Sequence, residues 1–296
     1  MQSLQQERVK EWFARGQYHQ LNGQSIFTID EGEQHLPCIV LIHGFPTSSF
    51  DFLDIWPSLS GRFRLISLDM LGFGFSDKPN KRNYTIAKQA DLFEPLLQKL
   101  GVKQCHILAH DYGVSVAQEL LSRQHKGLAD TKFLSCCFLN GGLFPETHRA
   151  LLIQKLMLSP LGKWINKLTG FKQFSASFSS VFGAHTKPNE RELKEFWEII
   201  NFNQGRHLFH NLITYILDRR LFREQWLIAL QSSDAPLALI NGNVDPVSGI
   251  HLVDRYKELN CRLDYLKHLP TIGHYPQVED PSGVSSAYLE FLQEVM

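Results

Sequence analysis

The chain has no surplus of charge of either sign. Its 30 Lys+Arg balance 30 Asp+Glu, which leaves no basic excess to draw in nucleic acid or an anionic membrane surface. No run of 18 apolar residues occurs, so no membrane span is expected. The opening stretch, MQSLQQERVKEWFARG, lacks the apolar core of a signal peptide. The five cysteines, Cys38, Cys105, Cys136, Cys137 and Cys261, are scattered, with no Cys-x-x-Cys pair and no Cys/His metal spacing. They read as free, buried thiols of a protein in a reducing, cytoplasmic setting. Internal repeats and low-complexity tracts are also missing. What remains is a chain of 296 residues, 43% hydrophobic and 20% charged, long enough for a sizeable core. A small molecule is the expected partner, and a monomer or homodimer the expected state.

Short apolar runs alternate with helical patterns, which signals a largely parallel sheet covered by helices. Cys38–Ile42, Arg64–Leu68, Cys105–Ala109, Phe133–Leu139, Pro236–Ile240 and Leu263–Leu269 read as strands, and their continuous apolar character suits burial on both faces. Cys136 and Cys137, adjacent in one strand, would point to opposite faces. His19–Leu21 and Ser25–Ile29 flank Asn22-Gly23 as a hairpin. Tyr112–Lys126 places Val114, Ala117 and Leu121 on one helical face. Thr85–Leu100 is helical, with a kink expected at Pro95 and a stop at Gly101. Asp280 caps a last helix that has Pro281 at its first position. From Leu143 to Leu227 there is only helical periodicity, with Phe171, Phe174, Phe178 and Phe182 at helical spacing. The expectation is an α/β core of residues 1–142 and 228–296, with residues 143–227 inserted as a helical cap.

Ala109-His110-Asp111-Tyr112-Gly113 lies where a strand gives way to a helix, the context of a nucleophile elbow of the form Gly-x-nucleophile-x-Gly. The nucleophile position holds an aspartate. A helix N-terminus favours its ionised form. A carboxylate attacks amides poorly, but it can open an epoxide or displace a halide at an sp3 carbon and form an ester. The competing reading is an aspartate that merely caps the helix. His43-Gly44-Phe45-Pro46 follows the first core strand, where half of an oxyanion hole would lie. The Phe45 and Tyr112 N–H groups are its expected donors, and His43 joins the candidate substrate-contacting set. The glycine-rich loop Asp69-Met70-Leu71-Gly72-Phe73-Gly74-Phe75-Ser76-Asp77-Lys78-Pro79 resembles a dinucleotide fingerprint, but no helix opens from its glycines. Asp245, after the strand ending at Ile240, and His274, 29 residues further on, complete the order nucleophile, acid, histidine. His106 reads as a satisfied core histidine, and His19, His125 and His207 as surface residues.

The segments HGFPTSSFDF, LDMLGFGFSDKP, AHDYG, NGNVDPV and GHYPQVEDP together resemble the Asp-nucleophile branch of the α/β-hydrolases, which holds epoxide hydrolases and haloalkane dehalogenases. Within it, the Asp-Tyr-Gly elbow and the segment from Asn140 to His148 are similar to the mesoderm-specific transcript group of animals and its bacterial relatives. The resemblance runs from Trp12 to the last helix. It implies the α/β-hydrolase fold, a mostly parallel central sheet with helices on both faces and an inserted helical cap. It also implies a hydrolase needing no cofactor and no metal. Asp111 would form an ester, and His274, oriented by Asp245, would activate the water that hydrolyses it. Some relatives place the acid after the strand preceding the cap, where Asn140 and Glu146 lie, but Asp245 is expected here. Haloalkane dehalogenases typically hold the halide with Asn and Trp, where this chain has Phe45 and Tyr112. Epoxide hydrolases usually supply two cap tyrosines, and Tyr215 is the only tyrosine between Leu143 and Leu227. The leading expectation is an epoxide or a related small apolar electrophile. A haloalkane dehalogenase-type hydrolase and a non-catalytic binding or regulatory protein remain as alternatives, and Asp at the elbow argues against a serine esterase.

Overall fold

Eight strands form one sheet in the order β1-β2-β4-β3-β5-β6-β7-β8, running as β1 Gln17–Leu21, β2 Gln24–Glu31, β3 Cys38–Ile42, β4 Arg64–Leu68, β5 Gln104–Ala109, β6 Lys132–Phe138, β7 Leu237–Gly242 and β8 Tyr265–Leu269. The structure, a computed structural model, describes residues 3–80, 83–147, 149, 162 and 169–296. Pairing is antiparallel for β1 with β2 and for β2 with β4, and parallel from β4 across to β8. Every residue of β3 and β4 is buried, because helices cover both faces of a parallel sheet. Cys136 and Cys137 are both buried accordingly, as are the other three cysteines, all free. Burial pushes the Cys38 and Cys261 thiols up to about 12.

The expected elements form for the expected reasons. Asn22 and Gly23 take φ of 50° and 73° and close the β1–β2 hairpin. The helix expected over Thr85–Leu100 is broken into Ile86–Ala90 and Phe93–Lys99. Pro95 has no N–H for the carbonyl four residues back, and that carbonyl, of Asp91, instead accepts from Asn22 Nδ2 at 3.0 Å. Asp280 caps the last helix, Pro281–Val295, by accepting from the Gly283 N–H at 2.9 Å. His106 is the satisfied core residue expected: Nδ1 meets Ser135 Oγ at 2.8 Å, and burial lowers it to about 4. His19 corrects the sequence reading. It sits on the inward face of β1 and is buried, because the alternation of that strand turns His19 and Leu21 inward together.

Between β6 and β7 no strand occurs among the described residues. Helices cover Phe171–Ser179, Glu190–Asn201, Tyr215–Leu221 and Arg223–Gln231. The phenylalanine stripe packs ring to ring, Phe174 on Phe178 at 5.0 Å and Phe178 on Phe182 at 5.1 Å. His148 and residues 150–161 and 163–168 of the expected insertion lie outside the described residues.

Parallel pairing has one consequence for function. The segments following β3, β5, β6, β7 and β8 all emerge at the same edge of the sheet, where ligands of open α/β sheets bind. His43–Phe45, Asp111, Asn140, Asp245 and His274 therefore arrive in one place.

Candidate active site

Asp111 joins β5 to the helix Tyr112–His125 with φ 44° and ψ −103°, a conformation that costs a non-glycine residue roughly 1–3 kcal/mol. The turn is possible because the helix crosses very close to β3: a Cβ on Gly113 would lie 2.3 Å from the Ile42 carbonyl oxygen. Asp111 forms no side-chain cap of its helix, which disposes of the competing reading. Its Oδ2 instead accepts from the Phe45 N–H at 2.9 Å, and its Oδ1 faces His274 Nε2 at 3.7 Å. The Tyr112 N–H opens the same helix and so has no acceptor within it. Burial opposes ionisation of Asp111, but the hydrogen bonding and charge of His274 and the charge of Arg219 outweigh it and hold the carboxyl well below the usual carboxylate range.

His274 Nδ1 lies 2.7 Å from Asp245 Oδ2. That carboxylate is saturated: Oδ2 also accepts from Ser248 Oγ at 2.6 Å and Asn140 Nδ2 at 3.0 Å, and Oδ1 from the Val247 N–H at 2.7 Å. Burial disfavours its charge, yet the His274 charge and these hydrogen bonds keep it below its ordinary value. Burial likewise disfavours imidazolium, but Asp245 and Asp111 together push His274 up to about 10. At neutral pH the resting site thus pairs one imidazolium with two carboxylates. Glu146, the alternative acid, points away to Arg223 at 2.5 Å and Arg255 at 3.3 Å. Asn140, the other candidate position, connects the two sides of the site, since its carbonyl accepts from the Asp111 N–H at 2.8 Å while its side chain reaches Asp245.

His43 does not serve as the sequence suggested. Its Nδ1 meets the Gly44 carbonyl at 2.9 Å and its Nε2 accepts from the Met70 N–H at 3.0 Å, so both ring nitrogens are taken by backbone. The ring, fully buried, shapes the Gly44–Phe45 turn and has no donor or acceptor left for a ligand. The glycine-rich loop is also scaffolding. Asp69 accepts from the Ser49 and Phe75 N–H groups at 2.8 and 2.7 Å, tying that loop to the segment after β3. Tyr215 does arrive near the elbow: its ring is 4.6 Å from Tyr112 and 6.2 Å from Phe45. Burial and the Asp111 charge raise its phenol, so it stays an O–H donor at neutral pH.

Two further contributors were not among the candidate residues. Arg219, from the helix Tyr215–Leu221, is 1% exposed and donates to Ser115 Oγ at 2.8 Å and to the Asp111 carbonyl at 3.2 Å. Nothing in Asp218-Arg219-Arg220 distinguishes it from the exposed Arg220; only its spacing of four from Tyr215 hints that both share a face. Glu279 accepts from the N–H groups of Gly183, Gly273 and Tyr275 at 2.8, 2.9 and 3.0 Å, and from Thr186 Oγ1 at 2.5 Å. It pins the loop bearing His274 to the helical stretch. Glu279→Gln should cost about 1–3 kcal/mol, read as a lowered melting temperature. An unchanged melting temperature would mean that the carboxylate does not hold the loop.

A strand-ordered sheet of this topology, an elbow at the end of β5 and a buried Asp–His pair at the ends of β7 and β8 define an α/β-hydrolase. The chain belongs to that family, whose alpha/beta hydrolase fold profile matches residues 37–281. Among individual relatives, it is 41% identical over 293 residues to the mesoderm-specific transcript protein of Mus musculus, covering 95% of this chain and 87% of that one. It is 32% identical over 284 residues to the putative hydrolase LipZ of Mycobacterium tuberculosis, covering 96% and 98%. The fold is shared with a haloalkane dehalogenase loop variant from Bradyrhizobium elkanii, at TM-score 0.79 and 18% identity over 95% of this chain and 96% of that one. Among the described residues no helix is long and apolar enough to cross a membrane.

Proposed function

We propose that this hydrolase forms a covalent ester on Asp111 and hydrolyses it with water activated by His274, acting on an epoxide or related small apolar electrophile. The observation that carries the reading is the split environment of the Asp111 carboxylate, with Oδ2 on the Phe45 N–H and Oδ1 turned toward His274. In this reading Oδ1 attacks carbon while Oδ2, held by the Phe45 N–H, becomes the oxyanion of the second step, for which the Tyr112 N–H would be the second donor. Residues 143–227 would act as a cap over the core of residues 1–142 and 228–296, carrying Tyr215 toward the elbow. The rings of Phe45, Phe73, Tyr112, Phe209 and Tyr215 pack around it, which favours an apolar substrate.

The protonation states suit two steps. Oδ1 attacks an epoxide carbon, the C–O bond breaks, and the alkoxide formed takes up a proton, through Tyr215 or water, that the imidazolium of His274 supplies. Esterification removes the Asp111 charge, one of the two that hold His274 protonated. The neutral imidazole then takes a proton from water, and the resulting hydroxide adds to the ester carbon. Collapse of the tetrahedral intermediate releases a diol and regenerates the carboxylate.

Intact-protein mass spectrometry of His274→Gln with styrene oxide tests the reading, with one probe mass mapped to Asp111 expected. Label on a serine or cysteine would overturn it, and the buried thiols keep that background low. Because Phe45 and Tyr112 stand where a halide clamp would be, little halide release is expected from 1-bromohexane or 1-chlorohexane. Turnover on the order of 1–10³ s⁻¹ would reassign the leaving group.

A further inference from the structure

We propose that Arg219 is a positioning residue for the oxyanion site: by holding the Asp111 carbonyl, it sets the plane of the Asp111–Tyr112 peptide and so aims the Tyr112 N–H. The inference rests on the reading above only in assigning that N–H to the ester of Asp111. A trans peptide unit is planar, with its C=O and N–H pointing in opposite directions. Whatever fixes the Asp111 oxygen therefore fixes the Tyr112 donor on the other side.

That oxygen sits in a turn with few constraints of its own. Asp111 adopts φ 44° and ψ −103°, and within the chain's own turn its carbonyl accepts only a long bond from the Val114 N–H at 3.2 Å. The second donor is Arg219 Nη2, also at 3.2 Å but carrying a full charge, which makes it the stronger of the two. The guanidinium is itself held in place. Nε donates to Ser115 Oγ on the first turn of the same helix at 2.8 Å, and the Tyr215 ring lies 4.5 Å away. Gly142 makes the room: a Cβ there would lie 2.2 Å from Nη1. Nη2 is also 3.9 Å from Asp111 Oδ1, so the same cation favours the ionised nucleophile. A buried guanidinium needs compensating acceptors, and here one of them is the nucleophile's own backbone. Because Arg219 belongs to the helical stretch and Tyr112 to the sheet-bound elbow, the oxyanion site is complete only when the two are docked.

Selective ¹⁵N-tyrosine labelling gives a readout independent of chemistry. The chain has eight tyrosines, and Tyr112→Phe assigns the one in question. The Tyr112 amide resonance should shift in Arg219→Met and lie between wild type and R219M in Arg219→Lys, which keeps charge but offers one point donor. With styrene oxide, R219M should form the Asp111 ester within tenfold of the wild-type rate but hydrolyse it about 10²-fold more slowly, as loss of an oxyanion donor does. Ester would then accumulate with His274 intact, and R219K should recover part of the loss. An unmoved Tyr112 amide, or equal loss in both steps, overturns the proposal. Absence of any Asp111 ester in wild type and His274→Gln would refute the nucleophile instead, and the amide shift would still decide whether Arg219 holds the peptide. Should R219M fail to fold, Ser115→Ala, which frees one anchor of the guanidinium, should show the same shift in smaller measure, and its absence there and in R219K would overturn the proposal.

Discussion

Asp111→Ala is expected to abolish ester formation with styrene oxide, while His274→Gln is expected to make the ester persist. In the proposed reaction the two residues serve different steps. Alkylation needs a carboxylate, and His274 and Arg219 hold Asp111 ionised across the physiological range. Hydrolysis needs a base, and removing one slows its step by roughly 10²–10⁴-fold. In His274→Gln the first step also loses the imidazolium beside Oδ1, so it slows too, but the second step loses its only base and the ester builds up. Mass spectrometry of intact protein and of its peptides separates the cases: an added mass on Asp111 in the histidine variant and none in the alanine variant. A binding protein without chemistry would show no adduct in either. Label that survives Asp111→Ala would rule out the aspartate mechanism.

Asp245→Asn should be about as damaging to hydrolysis as loss of His274 itself, slowing ester hydrolysis by on the order of 10⁴-fold, the loss seen when an acid that orients a catalytic histidine is amidated. The carboxylate accepts on every side: from His274, Asn140 and Ser248 at Oδ2, and from the Val247 N–H at Oδ1. A carboxamide must turn its NH₂ toward one of those donors. If it faces His274, the imidazole is driven to the tautomer that cannot accept a proton at Nε2. If it faces Val247, two N–H groups confront each other in a buried site, at about 1–3 kcal/mol. The stability difference should also depend on pH. The folded His274 titrates at about 10, above its unfolded value near 6.5, so its pairing contributes fully below that value and is lost as pH rises toward 10. Asp245 is shifted down, so its contribution is lost only as pH falls through the acid range. The melting-temperature gap between wild type and Asp245→Asn should be widest in mildly acid solution, at about pH 5–6.5, and narrow as pH rises toward 10. A gap that stays constant with pH would mean that the Asp245–His274 pair is not ionic.

How legible was this protein in its sequence? The strands were, because burial on both faces writes a continuous apolar run, and β3 and β4 fall where those runs fall. The positions of Asp111, Asp245 and His274 were legible for a related reason. Residues at a strand's carboxyl end sit beside turn formers such as Gly113, Pro246 and Gly273, and parallel pairing carries all such ends to one edge of the sheet.

What the sequence hid is what depends on contacts between distant segments. The alternation of β1 could not say that His19 faces inward, since a two-residue period fixes relative faces and leaves open which one is covered. HGFP marked a turn beside the nucleophile but not that the His43 ring would be consumed by the Gly44 and Met70 backbone. Arg219, Asn140 and Glu279 act through hydrogen bonds to residues 108, 105 and 96 positions away; motifs flagged the neighbourhoods of Asn140 and Glu279 but not these partners, and nothing local separates Arg219 from an ordinary polar residue. Local propensity and periodicity determined the elements, their order and the ends that bear the chemistry. Only the tertiary structure decided which side chains hold those ends in register, because hydrogen bonds are set by positions in space and leave no period in the chain.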